Sequence, residues 1–196
     1  MRARDAILIG LIIELGIMAW AVINYGVGIV GMQAVARLAE YFLLTLFSIL
    51  FLISDVPKVH FLLSVKPYHV FSLAAGFYLA ALFLLFYFSG TIVVSLQIAA
   101  VLVTCVLIFS MPFLTNQRDA AKLEDRKFRI FEMMFLYYIW LYFFLTYLPR
   151  ASGSYGITGG TYTEQVLVLG WVSLMLGMKL PGVLFRSKST TGGNGK

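Results

Sequence analysis

The chain is poor in charge. Aspartate, glutamate, lysine and arginine make up 12% of its 196 residues, against about a quarter in soluble domains. So few charged side chains cannot cover a water-facing surface, which excludes an ordinary soluble domain. A single cysteine, Cys105, rules out an intrachain disulfide. Histidine is limited to His60 and His69. Neither falls inside a predicted membrane crossing, which counts against a bis-histidine haem site. The polar/apolar alternation that builds membrane β-barrels is also missing.

Hydrophobic residues fill 61% of the chain, and the mean hydropathy is +0.90. Backbone groups in lipid must be satisfied within the chain, so long apolar runs that do not alternate have to be helices. Six runs approach the roughly 20 residues needed to cross a bilayer. They cover 7–30, 35–54, 70–88, 91–114, 131–148 and 166–184. The first is too long for a signal-peptide core and lacks a clear cleavage site, so it is expected to be retained. The predicted fold is all-α: a polytopic membrane bundle of six transmembrane helices. One domain spans 1–186, and 187–196 form a flexible cytoplasmic tail.

The net charge of +6 is unevenly placed. With the N-terminus in the cytoplasm and six crossings, thirteen of the fifteen Lys and Arg residues lie inside. Arg37 and Arg150 alone lie outside. This positive-inside distribution predicts an N-in, C-in topology. The basic residues flank apolar runs, where they would meet anionic headgroups, so no nucleic-acid partner is expected. The expected location is integral and multi-pass, in a plasma or inner membrane. The expected partners are the lipid bilayer, with a further membrane protein or a second copy of the chain as candidates.

Connections can be read from local chemistry. Residues 31–34 are expected to join the first two crossings, and Ser89-Gly90-Thr91 to close a tight hairpin between the third and fourth. Proline at Met111-Pro112 is expected to bend or stop the fourth. Residues 116–129 form the most charged stretch, where Asp125 and Arg129 can share a helical face favourably and Lys122 and Arg126 cannot. Residues 149–163 contain four glycines and predict an irregular loop. A division into three plus three helices is possible by count, but no residue pattern relates the halves.

Glu14 is the sharpest chemical feature. It lies about two turns into the first run, with Gly10 four residues before it and Met18 and Ala21 four and seven after. A carboxylate there should face the bundle interior, a wet cavity or a partner. Asn24 is a weaker polar candidate on the same helix, rotated roughly 80° from Glu14. Arg37/Glu40 and Arg129/Glu132 are each three apart and predict anchoring pairs near opposite interfaces. Tyrosines 137, 138, 142 and 147 with Trp140 enrich the fifth run, as interfaces and helix packing require. Gly170, Ser173 and Gly177 form a small-residue seam on the sixth.

Other signatures fail on context. Gly26-Val-Gly28-Ile-Val-Gly31 has the spelling of a dinucleotide fingerprint but lacks the strand–turn–helix setting. Asp55, His60 and His69 have no metal-clip spacing, so no metal site is expected. Ser110 and Cys105 have no histidine partner for covalent catalysis. No cofactor and no catalytic residue are assigned, which leaves an enzyme the disfavoured option. The expected function is a small-solute or ion transporter using a buried carboxylate, with Glu14 and Asn24 on its pathway. The alternative is a noncatalytic structural or assembly subunit of a membrane complex.

Overall fold

A computed structural model describes residues 3–54, 67–90, 95–153 and 158–191. They form six helices: α1 (Ala3–Tyr25), α2 (Ile29–Ile53), α3 (Pro67–Ser89), α4 (Ser95–Asp119), α5 (Asp125–Ala151) and α6 (Tyr162–Thr191). Among the described residues, α1 to α5 are long and apolar enough to cross a membrane. The protein is therefore an all-α, multi-span membrane bundle. Asp55 and His60 lie outside the described residues, as do 91–94.

The helices run up and down, as their side-chain contacts require. Ala21 clusters with Ala34, Val35 and Ala36 of α2 and with Ala81 and Leu85 of α3. At the opposite end Tyr68 of α3 stacks edge-on against Phe135 of α5. Two ends can be named by their buried cations, the Arg150 end and the Lys179 end.

Helix α2 is the axis. Its inward positions Ala36, Ala39, Glu40, Leu43, Leu44, Phe47, Leu50 and Phe51 recur at three- and four-residue steps, one face of a helix. Phe47 centres the core, 5.5 Å from Phe143, 5.5 Å from Phe51 and 6.2 Å from Phe71 between ring centroids. Helix α1 lies outside α2 and α3, burying Gly10, Glu14 and Ala21 and exposing Ile12, Ile23 and Trp20.

The first turn differs from expectation. Gly26 takes φ +77° and ends α1, and Gly28 precedes the first residue of α2. Left-handed backbone favours glycine there. Gly31, expected in the connection, instead sits inside α2. A Cβ on it would lie 1.8 Å from the Gly26 carbonyl oxygen, so the turn closes only against a bare backbone.

Of the two effects open to Pro112, a bend or a stop, the stop does not occur: α4 runs through it to Asp119. Proline has no N–H to give the carbonyl four residues back, which is that of Ile108. Ser72 of α3 supplies the missing donor, with its hydroxyl 2.8 Å from that oxygen. The chain turns at residues 120–124, where Ala121 has φ +54°.

Candidate functional site: buried charges along α2

Glu40 is an enclosed charge with an enclosed partner. Its position on the inward face of α2 directs it at the last turn of α5, where Arg150 reaches back. Arg150 Nη1 donates to both carboxylate oxygens, at 2.9 and 3.1 Å, and the two side chains are 2% and 11% exposed. Thr158, beyond α5, donates its hydroxyl to the same carboxylate at 3.4 Å. The Tyr147 ring lies under the guanidinium, 5.0 Å from its carbon.

The expected Arg37–Glu40 pair is thereby corrected. Glu40 turns into the bundle, where the enclosed Arg150 offsets the cost of burying its charge. Arg37 stays at the edge of the face, beside Gly159 and Gly160. Those glycines have φ of +70° and +112°, and a Cβ on Gly160 would sit 2.6 Å from Gln165 Nε2. The glycine-rich loop thus brings Thr158 down onto Glu40. Helix α6 then opens on a reciprocal cap, in which Thr161 N–H donates to Glu164 and Glu164 N–H to the Thr161 hydroxyl.

The Tyr147 hydroxyl lies close to the Glu40 carboxylate. Among the described residues, the Tyr41 hydroxyl and Gln165 Oε1 are buried without a hydrogen-bond partner.

A second buried charge closes the other end of α2. Lys179 Nζ donates to the Phe51 carbonyl and to the Ser54 hydroxyl, each at 2.8 Å. It also lies 4.1 Å from the centroid of the Phe51 ring and 5.5 Å from that of Tyr137. Carbonyls in the last turn of a helix have no intrahelical donor, and a lysine at that end is favourable. Sequence reasoning counted Lys179 among the cytoplasmic charges and missed this role. The available signal was its place inside the apolar run 166–184.

Glu14 faces inward, as the slender α1 face suggests. It is 1% exposed, and its Oε1 has no hydrogen-bond partner. Close approach is set by Gly10, whose Cβ would lie 3.2 Å from Val70 of α3. Asn24 does not join it. That side chain is exposed and donates to the Trp20 carbonyl at 2.8 Å.

The expected Arg129–Glu132 pair is also absent. Glu132 accepts a hydrogen bond from the Tyr68 hydroxyl at 2.5 Å, and Arg129 is exposed. Asp125 and Arg129 sit in the first turns of α5, where the recorded ion pair is instead Lys127–Glu124 at 3.5 Å. The seam Gly170, Ser173 and Gly177 points away from the bundle, with no atom within 4 Å of a Cβ on either glycine.

Two spaces complete the picture. An open groove of about 470 Å³ between α1, α3 and α4 is almost wholly apolar and includes Gly76 and Phe109. A small enclosed cavity of about 20 Å³ lies among α2 to α5, with Tyr78, Thr104, Cys105 and Tyr142 in its wall. Comparison with protein-family models, curated proteins and solved structures gives no match for the chain.

Proposed function

We propose that the protein is a small-solute or ion transporter with six crossings, both termini cytoplasmic, and buried carboxylates as its working groups. The observation that carries this reading is the enclosed Glu40–Arg150 pair between α2 and α5. A buried ion pair is a weak source of stability compared with apolar packing. Ionisable groups inside membrane helices are costly, pair with one another and mark ion or solute pathways. The thirteen-to-two distribution of basic residues places the Arg150 end outside on this reading.

Glu14 is the exchangeable group in this proposal. Its carboxylate is buried, so it can hold a proton or meet a cation when the helices part. Asn24 contributes little, because its amide is engaged with its own helix. In proteoliposomes, the wild-type chain should carry at least one ion or small solute faster than protein-free vesicles. Glu14→Gln should then abolish the pH dependence of that flux. Unchanged rate and pH dependence in the variant would remove Glu14 from the mechanism, and absence of any wild-type flux would overturn transport.

A second reading has its own support, the outward Gly170–Ser173–Gly177 seam. Small residues let another helix approach closely, and this face is exposed among the described residues. On that reading the protein is a noncatalytic subunit of a membrane complex.

A further inference from the structure

Two carboxyl groups are enclosed within the bundle, and their surroundings differ. Glu40 is 2% exposed and accepts from Arg150 at 2.9 and 3.1 Å and from Thr158 at 3.4 Å. Glu14 is 1% exposed, and among the described residues nothing donates to its buried Oε1.

The helix around Glu14 explains why no donor reaches it. Gly10, Glu14 and Ala21 share one face of α1, with steps of about 6 and 10 Å along the axis. On one side, a Cβ on Gly10 would stand 3.2 Å from Val70 and 3.9 Å from Leu73 of α3. On the other, Ala21 is fully buried among Ala34, Val35 and Ala36 of α2 and Ala81 and Leu85 of α3. Met18, one turn from Glu14, packs against that cluster. Apolar contacts therefore close α1 on both sides of the carboxyl group.

Among the described residues, the charged and titratable groups near these helices are engaged or placed elsewhere. Arg150 binds Glu40, and Lys179 binds the Phe51 carbonyl and the Ser54 hydroxyl. On α1 itself, Arg4 and Asp5 are exposed and about 15 Å of helix away. On α2, Arg37 and Tyr41 stand within a turn of Glu40, at the Arg150 end. On α3, Tyr68 donates to Glu132 and His69 lines the groove with Ile7. Tyr78 belongs to the central core, and Tyr87 is exposed.

An isolated carboxylate ion is so costly in an apolar site that the group takes up a proton instead. A metal ion would need several further oxygen ligands. Among the described residues no three His, Cys, Asp or Glu side chains gather to supply them. We infer that the two enclosed carboxyl groups are held in opposite states: Glu40 as an anion on Arg150, and Glu14 as a neutral acid whose bound ion is the proton. This rests on the reading of Glu14 as the exchangeable group and names what it exchanges. The helices as packed hold the proton-loaded form, because the contacts at Gly10 and Ala21 shield Glu14 from water that could receive the proton.

Infrared spectroscopy reads the state of an acid directly. A protonated carboxyl absorbs at higher frequency than amide or carboxylate groups, and its band moves down when deuterium replaces the proton. Purified full-length protein would be measured at neutral pH in ether-linked lipid, which has no ester carbonyl of its own. The wild type should show the band of a protonated acid, and Glu14→Gln should remove it entirely. A wild type without the band overturns the inference. So does any acid band left in Glu14→Gln, because Glu40 or another group would then hold a proton.

Amide hydrogen exchange checks the fold of the variant. If Glu14→Gln is misfolded, Glu14→Asp takes its place, with the acid drawn one methylene back towards α1. The band should then change frequency, and an unmoved band overturns the inference. The transport reading fails separately. A band without any wild-type flux would leave Glu14 a proton site and remove the carrier. Flux from a wild type without the band would keep the carrier and remove the proton.

Discussion

Ser72 hydrogen-bonds the carbonyl of Ile108, four residues before Pro112, at 2.8 Å. The donor that proline cannot supply inside α4 comes from α3. Within lipid this matters more than in water, because no solvent is at hand to satisfy the freed oxygen. Ser72→Ala should destabilise the bundle by about 1 kcal/mol. In a Pro112→Ala background the same change should cost close to nothing, because the restored N–H takes over. A double-mutant cycle by reversible unfolding in bicelles measures the difference.

The Glu40–Arg150 pair makes a sharper prediction about breaking versus replacing a buried ion pair. Arg150→Met alone should cost roughly 3–5 kcal/mol, because Glu40 stays buried without its cation. Glu40→Leu combined with Arg150→Met should recover most of that loss. If the single and double variants proved equally unstable, the pair would not be coupled as the geometry indicates.

Lys179 is expected to hold the last turn of α2 closed. Lys179→Met keeps the apolar stem but removes both donors, at a cost of about 1–3 kcal/mol. Hydrogen exchange should accelerate at residues 50–54 and stay unchanged at 36–40, near the other end of the helix.

Gly31 and Gly16 form a matched test of close approach. Gly31→Val places side-chain atoms where the Gly26 carbonyl stands and should destabilise by about 1–3 kcal/mol. Gly16 has no atom within 4 Å of its Cβ position, so Gly16→Ala should be neutral or slightly stabilising through helix propensity. Thermal unfolding of the two variants beside wild type reads the contrast.

Sidedness and assembly have direct readouts. With Cys105 replaced, a cysteine at Gly153 should react with an impermeant maleimide added to intact cells, and one at Asn116 should not. Ser173→Phe should leave the chain folded while abolishing any oligomer seen for the wild type by native mass spectrometry.

The sequence alone determined the class of this protein. Scarce charge and long apolar runs admit only helices in lipid, and the inward turn of Glu14 followed from Gly10 and Ala21 on one face of α1. Those are properties of composition and of a single helix, and both are local. The tertiary structure decided which charges meet. Spacing along one helix offered Glu40 the neighbour Arg37, three residues away, yet the partner is Arg150, more than a hundred residues on. Burial decided it, because an enclosed carboxylate takes the cation that the packing of another helix encloses with it. The same holds for Lys179 on the end of α2 and Ser72 beneath Pro112. Each satisfies a carbonyl left free by its own helix, at a helix end or four residues before a proline, and only the register between helices could assign the donor.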